Sequence, residues 1–329
     1  MITQEQIARK LGVSRQLVTF ALAGYPQVSE ASRERILAAA KKMGYRPNPL
    51  ARALRRQRTG IIALWIPDQI STHYSHVARE LNRLVKQARQ ELIISETGPL
   101  EAKQILSNVP VDGVIAVDTS REVQACRRLP ATRSIPFVSA GAHCFAGTDS
   151  VQVDLYAGTK ELMRHLLGSG FRRIAHATFM RKDQPEASRR RGYQEAMRKA
   201  GLKPEFIYYP LTERQRPVTR QLIQDYVRRH GCPEAIFCHS DDAALGIYRG
   251  LTDLKISVPG DVALAGCDGI EDVEYLECPL TTLVQPVPEM CAAAWDFLTK
   301  RLEHPELKPQ AAILKPTLAV RQSTQRKTG

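Results

Sequence analysis

Short apolar runs alternate with longer amphipathic stretches from about residue 60 onward, and this alternation limits the fold more than any other feature. Short buried strands separated by helices are typical of βαβ units with parallel sheets. The series is too long for one small sheet, so we expect two doubly wound parallel-sheet subdomains. The predicted strands are Ile61–Ile66, Leu92–Ser95, Gly113–Val117, Pro136–Ser139, Ile174–Thr178, Ala235–His239 and Val262–Gly266. The predicted helices are Val77–Arg89, Leu155–Leu167, Ala187–Ala200, Val218–Arg229 and Ala243–Leu254.

The residues before this series form a strongly basic head. The first sixty residues hold twelve Lys and Arg against Glu5, Glu30 and Glu34, whereas the net charge of the whole chain is +13. Such a concentration of positive charge favours binding to phosphates. A basic disordered tail is the alternative, but apolar residues recur between the charges at helical spacing, among them Ile36, Leu37 and Ala40. The head is therefore predicted to be a folded domain.

Capping signals divide the head into three short helices. Thr3 and Gln6 form a capping-box pattern that opens a helix ending near Leu11, and Ser14 can cap a second helix to about Ala23. Ser29 can cap a third helix, which ends near Gly44. The first two helices and their turn describe a helix-turn-helix, whose second helix presents Arg15, Gln16 and Thr19 to a major groove.

Composition and motifs exclude several other classes of protein. No apolar run is long enough to span a membrane, and no secretory signal precedes the head. The seven cysteines are scattered, so we expect free thiols and a cytoplasmic protein. We found no nucleotide-binding loop and no nucleophile elbow, and the pairs His73/His76 and Cys238/His239 lack further metal ligands. We therefore expect no cofactor and no metal.

The head also resembles a known family. The run from Ile7-Ala8 through Gly12-Val13-Ser14, Val28-Ser29 and Gly44-Tyr45-Arg46-Pro47-Asn48 is similar to the DNA-binding headpiece of the LacI/GalR (lac-repressor) family. The resemblance implies that residues 47–59 form a hinge helix on DNA, with Leu54 as a wedge in the minor groove. The DNA-binding residues expected on this basis are Ser14, Arg15, Gln16, Thr19, Phe20, Asn48, Leu54 and Arg55.

The resemblance extends over the body, from about Thr59 to Ser323. Landmarks include Val111-Asp112-Gly113, Arg189-Arg190-Arg191-Gly192-Tyr193, Val258-Pro259-Gly260-Asp261 and Pro279-Leu280-Thr281-Thr282. It implies a type I periplasmic-binding-protein-like body and a homodimer on a palindromic operator. The expected domains are a headpiece at 1–46, the hinge at 47–59 and a body at 60–329. The body would divide into an N-subdomain (about 60–153 and 284–314) and a C-subdomain (about 154–283 and 315–323).

The same resemblance implies a cleft that binds a small-molecule effector. Arg189 matches an effector-binding arginine and Asp268 a ligand-contacting aspartate. Alternatively, Asp241 could merely cap the helix that follows it, and Asp268 could do similar local work in a turn. The expected effector residues are Ser71, His73, Tyr74, Arg189, Ser240, Asp241 and Asp268. A guanidinium beside a carboxylate suits a sugar, and segment 212–217 lacks the aromatic that would favour a purine. Arg214 and Arg216 would favour a phosphorylated or acidic sugar if they face the cleft.

The sequence thus predicts an effector-responsive DNA-binding repressor that senses a sugar or sugar derivative. Two alternatives stay open at this point. The body could dock a partner protein, or serve only for dimerisation, without any effector. The body could also be an α/β enzyme attached to a basic nucleic-acid-binding head, although an enzymatic function of the body does not explain why the chain carries such a head.

Overall fold

The computed structural model of the chain describes residues 2–45, 58–96, 106, 109–127, 135–145, 147–179, 188–212 and 214–325. The chain forms two compact units, Met1–Thr59 and Gly60–Gly329. Among the described residues, no helix is long and apolar enough to cross a membrane. All seven cysteines are free thiols.

The first unit contains three helices, α1 (Gln4–Leu11), α2 (Arg15–Ala23) and α3 (Glu30–Lys42). The predicted capping box is present, because Thr3 Oγ1 accepts from Gln6 N while Gln6 Oε1 accepts from Thr3 N. Gly12 ends α1 in the left-handed conformation that a residue without Cβ adopts at little cost. The buried core comprises Ile7, Ala8, Val18, Ala21, Val28, Ile36 and Ala40. Leu37, which we had counted with this core, is 45% exposed.

The second unit holds two six-stranded sheets. The first sheet has the order β11-β5-β4-β3-β1-β2 and is parallel throughout. The second sheet has the order β12-β10-β9-β8-β6-β7 and is parallel except for β12, which runs antiparallel to β10. The strands are β1 Ile61–Ile66, β2 Glu91–Glu96, β3 Gly113–Val117, β4 Phe137–Gly141, β5 Asp149–Val153, β6 Ile174–Thr178, β7 Glu205–Tyr208, β8 Ala235–Cys238, β9 Ala263–Asp268, β10 Thr281–Val284, β11 Ala311–Leu314 and β12 Thr317–Ala319.

Seven described helices connect and cover these strands. They are α4 Thr72–Gln87, α5 Ser120–Arg127, α6 Leu155–Gly168, α7 Ser188–Lys199, α8 Gln215–His230, α9 Asp241–Asp253 and α10 Val287–Glu303. Helix α10 packs on α4 and on strands β3 to β5, so it belongs with the first sheet although it follows the second in sequence. Gly113 makes this packing possible, since a Cβ there would lie 2.6 Å from Leu298 Cδ1.

The chain crosses between the two sheets three times: between β5 and α6, between β10 and α10, and between β11 and β12. We call the first sheet with its helices α4, α5 and α10 the first lobe, and the second sheet with α6 to α9 the second lobe. Each lobe is therefore built from separate stretches of sequence. Because the crossings bring equivalent strand ends together, the carboxyl ends of both parallel sheets can form one site.

Candidate functional site

A cavity of about 740 Å³ is lined by side chains from both lobes. Several of them lie at the carboxyl end of a strand: Asp118 directly follows β3, Phe179 directly follows β6, and Asp268 ends β9. Ligands of parallel α/β sheets bind at such carboxyl ends. Of the seven residues expected to bind an effector, the cavity is lined by Ser71, His73, Tyr74, Arg189, Ser240 and Asp268.

Arg189 and Asp268 form the most buried charge pair of the cavity. Nη1 of Arg189 lies 3.9 Å from Oδ1 of Asp268, and the two side chains are 11% and 7% exposed. The same Nη1 also donates to Sγ of Cys267 at 3.5 Å. Arg189 comes from the first turn of α7, whereas Asp268 comes from the end of β9. The structure thus brings together two residues that stand far apart in the sequence.

Asp268 is held in a strained position. Its backbone φ of 127° lies in a region that residues other than glycine rarely adopt. Gln285, which follows β10 and also lines the cavity, donates from Nε2 to Oδ1 of Asp268 at 2.9 Å. Burial raises the pKa of Asp268 to about 7, against the opposing effect of the Arg189 charge. The carboxyl group can therefore accept hydrogen bonds, and near neutral pH it can also donate one.

Asp118 is a cavity residue that the sequence reasoning missed. Its Oδ1 accepts hydrogen bonds from the backbone N–H groups of Ala142 at 2.7 Å and His143 at 3.3 Å, and its Oδ2 accepts one from the hydroxyl of Tyr74 at 3.1 Å. A Cβ on Gly141 would lie 2.5 Å from Asp118 Oδ1, so only glycine leaves room for this carboxylate. Its position directly after a predicted strand was the available signal.

His73 and Tyr74 lie in the first turn of α4. Burial lowers the pKa of His73 to about 4, although Asp118 works in the opposite direction. His73 is therefore a neutral hydrogen-bonding group at neutral pH. Ser71 also lines the cavity, and its Oγ donates to Oδ2 of Asp242 at 3.3 Å.

Asp241 departs from expectation, because it does not line the cavity. It is fully buried, and its Oδ2 accepts from the backbone N–H groups of Gly269 at 2.7 Å and Ile270 at 3.0 Å, while its Oδ1 accepts from Thr282 at 2.7 Å. Asp241 thus fixes the turn that follows Asp268. The cap of α9 is its neighbour Ser240, whose Oγ accepts from Ala243 N.

The cavity contains an aromatic ring despite the lack of one in segment 212–217. Phe179, directly after β6, lines the cavity, and its ring lies 4.4 Å from that of His239 at an angle of 58°. The absence of an aromatic from segment 212–217 therefore gives no argument against a flat ligand. The face of the Phe179 ring can pack against either a base or a sugar.

The two arginines of segment 212–217 have different positions. Arg214 lines the cavity. Arg216 does not, because its Nε donates to Asp242 at 2.8 Å and its Nη2 donates to Thr72 Oγ1 at 2.9 Å. The charge of Arg216 is balanced by Asp242, so the expectation that both arginines would attract an acidic ligand is not supported.

The first unit presents only part of its expected DNA surface. Ser14, Arg15 and Gln16 are exposed at the start of α2. Thr19 donates to Gln4 Oε1 at 2.8 Å, and Phe20 packs on the head core with its ring 5.1 Å from that of Tyr25. These contacts within the head make Phe20 a packing residue. Asn48, Leu54 and Arg55 lie outside the described residues.

A helix-turn-helix unit and a two-lobed body with a cavity between the sheets define a DNA-binding regulator with a periplasmic-binding-protein-like domain. Residues 3–48 match the family described as "Bacterial regulatory proteins, lacI family", and residues 163–324 match the "Periplasmic binding protein-like domain". The ribose operon repressor of Escherichia coli (strain K12) is 30% identical over 338 residues, which cover 98% of this chain and 100% of the relative. The chain belongs to the lacI family, and the predicted resemblance is confirmed.

Solved structures support the same fold. The lac repressor dimer bound to operator and the anti-inducer ONPF has a TM-score of 0.84 and 21% identity, covering 98% of this chain and 99% of that one. A LacI family regulator from Enterococcus faecium with bound ribose has a TM-score of 0.72 and 22% identity, covering 80% and 98%. The predicted fold class, a helical headpiece with two parallel-sheet subdomains, is confirmed.

No group of three or more His, Cys, Asp or Glu side chains that could hold a metal ion occurs in the part of the chain that the structure describes. The described lining of the cavity offers hydrogen-bonding groups, charged groups and an aromatic ring. These are the means by which a protein binds a polar ligand.

Proposed function

We propose that this protein is an effector-responsive repressor that binds operator DNA through α2 and a sugar or sugar derivative in the cavity between the lobes. The observation that carries the proposal is the Arg189–Asp268 pair at the back of the cavity. A guanidinium donates to hydroxyl oxygens, and a carboxylate accepts from hydroxyl hydrogens. A sugar hydroxyl can satisfy both at once.

The rest of the cavity suits the same class of ligand. Asp118 and Gln285 supply further polar groups, and Phe179 supplies an apolar face of the kind that packs on the C–H side of a sugar ring. The volume of about 740 Å³ is within the range of small-molecule sites. The repressor function of the ribose relative supports a sugar as the effector.

The surface of the head supports the DNA-binding part of the proposal. Arg15 and Gln16 are exposed at the start of α2, where a recognition helix contacts base edges. We propose a homodimer on a palindromic operator in the cytoplasm, as expected from the sequence. Members of this family are transcriptional regulators, so we propose that the body binds its ligand without changing it, in contrast to the enzyme alternative.

Titration calorimetry with a panel of sugars, followed by operator binding with and without the bound sugar, tests the proposal. We expect at least one sugar to bind, and its affinity to fall tenfold or more, about 1.4 kcal/mol, in Arg189→Ala and in Asp268→Ala. Arg228→Ala is the matched control, because Arg228 forms an exposed pair with Asp225 on α8 and does not line the cavity.

Three outcomes would count against the proposal. Binding that is insensitive to Arg189→Ala would place the ligand elsewhere. Operator affinity unchanged by a bound sugar would support the alternative in which the body only dimerises or docks a partner protein. Recovery of a chemically altered sugar after incubation would support the enzyme alternative.

A further inference from the structure

The two walls of the cavity carry different charges. Four of its lining carboxylates belong to the first lobe: Asp68, Glu96, Asp118 and Glu122. Within the described parts of the chain, no salt bridge joins any of these four to a lysine, arginine or histidine. Among the described residues this wall is therefore acidic, and none of its four carboxylates is neutralised by a salt bridge.

The second lobe does not supply enough positive charge to compensate. Its lining contains the guanidinium groups of Arg189 and Arg214 and the carboxyl group of Asp268. Nη1 of Arg189 lies 3.9 Å from Oδ1 of Asp268, so Asp268 already neutralises part of the Arg189 charge. Across both walls, the described lining holds five carboxyl groups, two guanidinium groups and the imidazoles of His73, His143 and His239. If Asp268 were protonated, the remaining four carboxylates would still outnumber the two guanidinium groups.

Two of the histidines in the lining do not change this balance. Burial lowers the pKa of His73 to about 4, and burial lowers the pKa of His239 well below its ordinary value. Both imidazoles are therefore neutral at neutral pH. They supply hydrogen-bonding atoms but no positive charge.

The cavity also keeps unused hydrogen-bonding capacity at buried positions. His239 is 3% exposed, and its Nε2 has no partner among the described residues, although its Nδ1 is bonded to Thr178. A buried polar atom without a partner is costly unless a ligand or water meets it. Asp118 accepts three protein hydrogen bonds, whereas a carboxylate has about four lone-pair sites. A ligand donor can occupy the remaining site.

We propose that the cavity selects a cationic, amine-bearing sugar over neutral and anionic sugars, with the amine against the acidic wall near Asp118 and Glu122. The sugar hydroxyls then meet Arg189, Asp268 and the free Nε2 of His239. This inference rests on the proposed function, because it names the ligand class of the same cavity. The competing explanation is that these carboxylates form a solvated acidic rim that does not select between ligands. Glu96 fits this explanation best, because it is exposed.

Calorimetry on the full-length protein at low ionic strength tests the inference with matched probes. D-glucosamine, D-glucose, N-acetyl-D-glucosamine and D-glucose 6-phosphate share one ring and differ in charge, and the galactose series repeats the comparison. The N-acetyl sugar keeps the nitrogen and removes its charge. We expect one amino sugar to bind at least tenfold more tightly than its neutral parent and its N-acetyl form, and this preference to shrink as salt is added. The phosphorylated sugar should be the weakest ligand.

Variants assign the effect to the acidic wall. Glu122→Gln removes one charge with little change in shape, and we expect it to weaken binding of the amino sugar about fivefold and binding of the neutral parent much less. Glu289→Gln, on the exposed side of α10 and away from the cavity lining, should change neither affinity. Equal losses of affinity for both sugars in Glu122→Gln would show that Glu122 affects binding through the shape of the cavity and not through its charge. That result would contradict the inference.

The remaining outcomes separate this inference from the function on which it rests. Equal affinity for amino and neutral sugars, or tightest binding of the phosphorylated sugar, would overturn the amine assignment and leave a sugar-responsive repressor. Failure of every sugar to bind would overturn both.

Discussion

The carboxylate of Asp242, in the second lobe, accepts a hydrogen bond from the backbone N–H of Thr72, the first residue of helix α4 in the first lobe, at 3.3 Å. Ser71, at the N-cap position of α4, makes no capping bond with its own side chain. Arg216 holds the same carboxylate at 2.8 Å and also donates to Thr72 Oγ1. The helix is thus capped from the opposite lobe, and this contact links the two lobes beside the cavity.

Asp242→Ala should therefore weaken both the body and its effector binding. It removes the cap of α4 and leaves Arg216 without its buried partner, so we expect the free energy of unfolding to fall by about 1–2 kcal/mol. Effector affinity should fall as well, because the contact joins the two lobes beside the cavity. Urea unfolding and calorimetry measure the two effects. The matched control is Asp225→Ala, which breaks an exposed pair within α8. A loss of stability with unchanged effector affinity would contradict a role of this contact in effector binding.

Gln16→Ala should reduce specific binding to the operator more than binding to random DNA. The side chain is exposed at the start of α2, and its amide can pair with an adenine edge. We expect a loss of about 1–3 kcal/mol at the cognate site and little change on unrelated sequence, measured by fluorescence anisotropy at fixed salt. Gln27→Ala, exposed in the turn before α3, serves as the control. An equal loss on both DNAs would mean that Gln16 contacts only the backbone.

Asp268 should make the effector-free protein less stable as the pH rises towards neutrality. Burial raises the pKa of Asp268 to about 7, so between its unfolded value and this pKa the folded state binds more protons than the unfolded state. The contribution of Asp268 to the free energy of unfolding is therefore favourable at acid pH and is lost as the pH rises through 7. Asp268→Asn cannot ionise, so its free energy of unfolding relative to that of the unmodified protein should rise by roughly 2–3 kcal/mol between pH 5 and pH 8. Urea unfolding across that range is the measurement, and a flat difference would refute the raised pKa.

Tyr193→Phe should destabilise the second lobe. The Tyr193 hydroxyl is buried, donates to the carbonyl of Ile174 at 2.7 Å and accepts from the backbone N–H of Glu205 at 2.8 Å, so it ties α7 to β6 and β7. Removal leaves buried backbone groups unpaired, at a cost of about 1–3 kcal/mol. Thermal or urea unfolding measures the change. Tyr275→Phe, at a side chain that is 78% exposed, should have no measurable effect.

Local signals in the sequence were enough for most elements of the head and for the central strands. Thr3 with Gln6 and Ser14 cap their helices through neighbours three residues away, so the sequence contains both partners. Central strands such as β1 and β3 are buried on both faces and appear as nearly continuous apolar runs. Strand β5 (Asp149–Val153) was missed because it carries polar residues at alternate positions, and β12 was missed because it has only three residues.

Features that depend on distant partners could not be predicted from the sequence. Helix α4 was expected to begin at Val77 but begins at Thr72, because its cap is Asp242, 170 residues away. Asp241 was expected at the ligand but binds the turn that follows Asp268. Arg189 and Asp268 were assigned to one cleft through family resemblance, and only the fold shows how close they lie. Asp118 and Phe179 could have been found by reading the residues that follow strands.

The three crossings between the sheets also govern the order in which the protein can be completed. The first sheet lacks its edge strand β11 until residue 314 is available, and the second lacks β12 until residue 319. Most of the first lobe is synthesised early. Even so, neither sheet can add its last edge strand until the ribosome has synthesised that strand. Neither of the two sheets that carry the binding site is therefore complete in a nascent chain until these late strands have been added.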